Sequence, residues 1–393
     1  MADLGLSQAE LARRLNDECA VLTGRQGCLT DRDVRRYLEG GTAWPHARQR
    51  LCLERVFGRP ATELGFSQVS RARGASGADA VDSWPADARL PARLGMSDVR
   101  RLHGEYVRIL QDDWRVGGAR RVENDAVELS MRIQSTLSSG TASTRVRQSL
   151  YSLASDVIST AAFAAIDAKV RARARRHLDR AVTLAGLSGD SETQYHVWNH
   201  LAMAAGQRRD HVEEMAAAET MKGLWVARRD PLCASLAHMR HAKALARSDR
   251  RTEALRSLAA AEKSFHRAGD DGRPVWINFY DQSELAGLSA SIWFSVGNFE
   301  RAECHFHQAL SGIRPELVRN RALYTAHLAL AQASQGEMEL ACATSQGAYD
   351  LLTADSGSKR TLDILSKART LVAVAGTRAP EVISWLERSR QWK

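Results

Sequence analysis

The sequence predicts an all-α protein: a small N-terminal helical bundle, a flexible linker, and a long C-terminal array of paired helices. Three observations predict it. Through residues 6–66 apolar residues recur at helical spacing, with Gly and Pro punctuating each run. Over residues 67–96 that periodicity vanishes and Ser, Gly, Ala, Pro and Arg dominate, as in a linker. A small–large–small triplet, with gaps of four and three, then recurs six times.

At 393 residues the chain is long enough for two or three domains with substantial cores. Lys and Arg exceed Asp and Glu by nine, and the sequence pI is about 9.5, which favours an anionic partner. Residues 6–66 hold ten Arg against eight acids, so binding there must rest on placement rather than net charge. Six cysteines (Cys19, Cys28, Cys52, Cys233, Cys304, Cys342) stand scattered without a CxxC pair, a pattern that fits a reduced cytosolic protein. No charged-then-apolar leader opens the chain and no apolar run of roughly 18 residues occurs, so the expectation is cytoplasmic, with no membrane partner.

The first helix begins near Leu6. Leu6, Leu11, Leu15 and Leu22, with Ala12 and Cys19, form its apolar stripe, and Ser7 is a candidate N-cap with Glu10 three residues on. The following spacer, Asn16 to Leu29, prolongs this helix before a turn at Gly24–Gly27. The next helix, Asp31–Glu39, is capped by Thr30 or Asp31 and stopped by Gly40-Gly41. Val34, Tyr37 and Leu38 share one of its faces. At about 100° per residue, Arg32, Arg36 and Glu39 lie opposite, with Asp33 and Arg35 on the flanks. Pro45 opens a third helix that Gly58 ends, and Pro60 to Leu64 makes one more turn.

The order LSQAELARRL … LTDRDVRRYLEGG … WP … LERVFG … ATELG resembles a repressor-type helix-turn-helix domain of the XRE (phage-repressor-like) family over about sixty residues. The resemblance implies that Gln8 meets the phosphate backbone and that the second helix, Thr30 to Arg36, enters the major groove. Base readout would then use Arg32 or Arg36 against guanine and Asp33 against cytosine. Thr30 and Asp31 open the reading helix, and Gln8, Arg35 and Arg48 supply phosphate contacts. The family carries a complete helix before Leu6, where only Met1–Gly5 stand here. Its spacer between the two helices is also about ten residues shorter.

After Ser97 the chain is helical throughout. Ser97 caps a helix carrying Val99, Leu102, Tyr106, Ile109 and Leu110, and another runs from Val122 to Leu137. Then come the triplets. Ala302-Phe306-Ala309 follows Gly297-Asn298-Phe299, with Ala290 and Trp293 ahead of it, and resembles a tetratricopeptide repeat. Ala174-Leu178-Ala181, Ala254-Leu258-Ala261 and Ala341-Ser345-Ala348 repeat it, while His211-Met215-Ala218 and Glu381-Trp385-Arg388 are degenerate copies. Their spacings of 37 to 48 residues exceed the 34 of ideal repeats, so these are divergent tetratricopeptide-like pairs. A right-handed α-solenoid is the expected architecture of residues 97–393, after a domain at 1–66 and a linker at 67–96.

Catalytic signatures are missing: no P-loop, Gly-rich dinucleotide turn, HExxH or G-x-S-x-G stands in the chain, and no enzyme or cofactor is expected. His196 and His200 are four apart on a helix but lack a third ligand nearby, so two helix-face histidines are expected rather than a metal. The first helices of the pairs should line a concave wall bearing His196, Asn199, His200, Arg240, Lys243, Asn278, Tyr280, Glu284, Arg319, Asn320 and His327. Amides and cations there suit a peptide backbone and its carboxylate, or a small signal molecule. The resemblance implies a bacterial, ligand-responsive transcription regulator that binds a double-stranded operator as a homodimer. The alternative is a tetratricopeptide-type adaptor between proteins with a vestigial DNA-binding domain.

Overall fold

The computed structural model describes residues 6–23, 29–39, 45, 47–61, 63–66, 93–116, 120–269, 274–352, 358–376 and 378–392, without the side chains of residues 22, 23, 47, 48, 51 and 116. Among the described residues there are eighteen α-helices and no β-strand, so the fold is all-α. The chain divides into two compact units, Met1–Val81 and Asp82–Lys393.

The first unit holds α1 (Gln8–Thr23), α2 (Asp31–Leu38) and α3 (Ala47–Phe57). Ser7 opens α1 by accepting the Glu10 N–H at 3.2 Å, and the helix does prolong into the spacer, as far as Thr23. The Asn16 amide then receives and donates a hydrogen bond at the Leu29 backbone, both at 2.8 Å, which pins the chain entering α2 to α1. Thr30, not Asp31, caps α2 in a reciprocal capping box with Asp33. Gly58, at φ +64°, ends α3. The turns assigned to Gly24–Gly27 and Gly40-Gly41 lie outside the described residues.

Leu11, Ala12, Leu15 and Cys19 of α1 meet Val34, Cys52, Leu53, Ala61 and Phe66 in one core. Tyr37 packs edge-on against Phe66 at 5.6 Å and donates its hydroxyl to Gln49 at 2.8 Å. Leu38 departs from the expected face: it is 55% exposed, because Tyr37 already fills the core side at the end of this eight-residue helix.

The second unit opens with α4 (Met96–Val116) and α5 (Arg120–Ser139). The cap of α4 is Gly95, whose N–H donates to Asp98 at 2.9 Å, two residues ahead of the expected Ser97. Leu94 also pairs with the Thr141 carbonyl at 2.9 Å, so the last residues assigned to the linker belong to this unit. Residues 67–92 lie outside the described ones.

Six antiparallel pairs follow: α6 (Thr144–Asp167) with α7 (Arg171–Ser188), and α8 (Ser191–Arg208) with α9 (His211–Gly223). After the short α10 (Trp225–Arg229) come α11 (Pro231–Arg247) with α12 (Arg251–Phe265), and α13 (Gln282–Ser295) with α14 (Phe299–Gly312). The last are α15 (Val318–Gln335) with α16 (Met338–Asp350), and α17 (Lys359–Ala375) with α18 (Pro380–Arg388).

Every triplet falls on the second helix of a pair. Those of α7, α12, α14 and α16 are wholly buried, since alanines there let the partner helix approach closely. The degenerate copies keep only their cores, Ala218 and Trp385. One helix, α6, is long and apolar enough by composition to cross a bilayer, yet 72% of its most apolar stretch is buried inside the array. First helices pack on one another along the series, and α4 touches both α6 and α15. That contact brings the start of the unit against a late repeat and leaves a hollow between them.

Candidate functional site

The hollow is a cavity of about 770 Å³, within the range of about 300–1,000 Å³ typical of small-molecule sites. Its wall comes mainly from α4 and from the first helices α6, α8, α11, α13, α15 and α17. Nine of the expected residues line it: His196, Asn199, His200, Arg240, Lys243, Glu284, Arg319, Asn320 and His327. Asn278 does not. It is exposed, and its carbonyl accepts a bond from Arg314 at 3.0 Å. Tyr280 is buried against Ser235, with 2.8 Å between their hydroxyls, and is also outside the wall. The reason is local: residues 275–277 form a 3-10 turn rather than the start of α13, and this turns Trp276 and Phe279 toward the cavity instead.

On α8, one turn apart, His196 and His200 present ring surfaces. His196 lies flat on Trp276 at 4.3 Å and hydrogen-bonds Asp156 through Nδ1 at 2.8 Å. Burial pushes its pKa down to about 3, so it is neutral at physiological pH. His200 stacks on Phe163 at 5.3 Å, and burial lowers its pKa too, while its Nδ1 has no hydrogen-bond partner among the described residues. Among the described residues no group of three His, Cys, Asp or Glu side chains is placed to hold a metal ion.

A clamp of ion pairs closes one side. Arg319 of α15 donates to Asp113 of α4 at 2.8 Å, with both side chains almost fully buried. Arg360 of α17 meets Asp167 of α6 at 2.9 Å. Both guanidiniums lie over the Phe163 ring, at 4.5 and 5.7 Å. Lys169 and Asp363 form a third bridge between the same parts of the chain.

The part of the wall that α11 supplies is cationic. Arg240, Lys243 and Arg247 follow one another at i, i+3 and i+7 along α11, so they share a face. Arg247 is paired with Glu214 at 2.8 Å. Arg240 sends Nε to Asn199 at 2.8 Å and Nη2 to the Met203 thioether, a weak acceptor. Lys243 has no hydrogen-bond or ion-pair partner among the described residues. Its burial, and then the neighbouring Arg247 and Arg240, bring its pKa down to about 7. Burial and four neighbouring cations, Lys243, Arg360, Lys367 and Arg247, hold His327 neutral with a pKa of about 3. Glu284 accepts from Asn320 at 2.9 Å and from the Tyr324 hydroxyl, and burial raises its pKa. Such a wall can bind anionic groups by charge and flat groups by stacking.

In the first unit, Arg32, Arg35 and Arg36 are all exposed on α2, and none has an ion-pair partner among the described residues. Asp33 is committed elsewhere: its Oδ2 accepts from the Thr30 N–H at 2.9 Å and hydroxyl at 2.7 Å, and these bonds hold its pKa below the usual carboxylate value. Asp31 is exposed, as is the capping Thr30, and Gln8 is half-buried at the start of α1. The Arg48 side chain lies outside the described residues.

No protein-family model matches the chain, and no curated protein matches it.

Sequence reasoning missed the groups that close the cavity: Asp113, Phe163, Asp167 and Arg360. A signal existed for one of them. Asp167 ends the apolar run AAFAAID, and a carboxylate closing such a run needs a buried partner.

Proposed function

We propose that the chain is a bacterial DNA-binding transcription regulator of the phage-repressor-like helix-turn-helix type, with a tetratricopeptide-like domain that receives a small signal and dimerises. The observation that carries the reading is α2. Val34 anchors it in the core while Arg32, Arg35 and Arg36 stand exposed, none in an ion pair among the described residues. Three such arginines on two turns of helix suit phosphates and guanine edges. Gln8 at the start of α1 suits a backbone contact, and the cavity of the second unit suits a signal molecule. The regulator acts in the cytoplasm on a pseudo-palindromic operator, and occupancy of the cavity shifts operator affinity.

The test is retention of genomic DNA fragments by the purified chain as salt is raised. Sequence-specific retention that falls steeply with salt is expected, and Arg32→Ala combined with Arg36→Ala should abolish it. Unchanged retention in that double variant would sink the reading.

A further inference from the structure

The charges around the cavity do not balance, and the imbalance is local. Four of its cations are matched one to one where they lie: Arg319 by Asp113, Lys169 by Asp363, Arg247 by Glu214 and Arg360 by Asp167. Lys243 and Lys367, which flank His327 from α11 and α17, have no carboxylate partner among the described residues. Arg240, 6% exposed, has no carboxylate within bonding distance either, and spends one arm of its fork on a thioether.

We propose that this wall is the receptor for the dianionic group of a small ligand, a phosphate monoester or two adjacent carboxylates, with Lys243 and Arg240 as the principal contacts and Lys367 at the rim. A guanidinium and an ammonium one helical turn apart on α11 offer several N–H donors to one set of oxygens. Three cations, Lys243, Lys367 and Arg240, stand against one further carboxylate of the lining, Glu284, which acts on Arg240, and the local surplus of positive charge suits a doubly charged group better than a monoanion. His327 adds no charge, since it is held neutral, but its ring Nδ1 lacks any partner and can complete the coordination of an oxygen. The depressed pKa of Lys243 comes first from its burial and then from Arg247 and Arg240, which the Glu214 carboxylate only partly offsets. The inference rests on reading the cavity as a receptor and not on the DNA-binding half of that reading.

The experiment is calorimetric titration of the full chain with inorganic phosphate, adenosine monophosphate and glutarate, against adenosine and glutaramide as neutral counterparts. Saturable binding of phosphate and the monophosphate alone identifies a phosphate site, and of glutarate alone a dicarboxylate site; the neutral pair should not bind. Lys243→Met, which removes an unpartnered charge, should melt no lower than the parent and bind the preferred anion about tenfold to a hundredfold more weakly. Lys367→Met, at an exposed position, should lose a smaller factor without affecting the fold. No saturable binding of any dianion at about 10 mM overturns the proposal. So does equal affinity in both variants, or equal binding of the neutral counterparts. A chain that binds the dianion but no DNA removes the regulator reading and leaves this site standing. One that binds DNA and no dianion does the reverse.

Discussion

Asp113 and Arg319 meet at 2.8 Å in the interior although 206 residues separate them. Their pair ties α4 to α15 and so closes the hollow between the first and the late helices of the second unit. Burial, and to a lesser degree the Asp167 charge, raise the pKa of Asp113, and Arg319 opposes that rise. Removing Arg319 therefore strands a buried carboxylate. Arg319→Met should destabilise the second unit by about 3–5 kcal/mol, while Asp113→Asn combined with Arg319→Met should recover much of that loss. Urea unfolding of the two variants and the parent checks this, and additive losses would show that the two side chains do not act as a pair.

Lys243 makes a pH dependence with a definite sign. Its folded pKa of about 7 lies below the ordinary 10.5, so between these values the unfolded chain binds more protons. Stability of the ligand-free protein should therefore rise with pH through this window, and the whole penalty is present below about pH 7. The groups responsible face it from four elements: Arg240 and Arg247 on its own helix, Glu214 on α9, His327 on α15 and Arg360 on α17. Measured against Lys243→Met, which cancels the other titrations, the stability gap should narrow steadily from pH 7 to about pH 9. Parallel profiles would place Lys243 in bulk-like water.

Much of this architecture was legible in the sequence because it is written locally. A triplet such as Ala254-Leu258-Ala261 announces the second helix of a pair, and so also fixes the phase of the first helix beside it. From that phase His196, Arg240, Glu284 and His327 could be assigned to one inner wall before any coordinates. Asn278 failed the same reasoning because residues 275–277 form a 3-10 turn, which changes the direction of each side chain. The ion pairs of Asp113 and Asp167 were illegible for another reason. Which carboxylate meets which guanidinium depends on how far the array curls, a sum of small rotations that no single repeat encodes. The cation surplus at Lys243 appears only once those pairings are known.

Close helix approach gives a paired prediction. At Gly287 on α13 an added Cβ would overlap the Tyr324 ring of α15. Gly287→Ala should lose about 1–3 kcal/mol to overpacking, more than the helix propensity it gains. Gly186, exposed in the last turn of α7, has nothing within 4 Å of such a Cβ, so Gly186→Ala should gain about 0.5 kcal/mol. Thermal unfolding distinguishes them by opposite signs, and a stabilised Gly287→Ala would refute the close contact between α13 and α15.

The first unit allows stability and DNA affinity to be separated on one short helix. Val34 is 1% exposed, so Val34→Ala should cost about 2 kcal/mol through lost burial and the cavity left behind. Thr30→Ala removes the hydroxyl that accepts the Asp33 N–H and should cost about 1 kcal/mol. Asp33 adds a pH signature to the same cap. Its folded pKa is lowered by its bonds from Thr30, so its contribution is present above the usual carboxylate pKa and fades as the pH falls below it. Arg32→Ala and Arg36→Ala touch no partner and should change stability by less than about 0.5 kcal/mol. If α2 reads DNA, the arginine variants lose operator binding with an unshifted melting transition, and each lost phosphate contact flattens the salt slope by about 0.9. If the helix is a solvated remnant, only Val34→Ala and Thr30→Ala will register, and they will do so in melting alone.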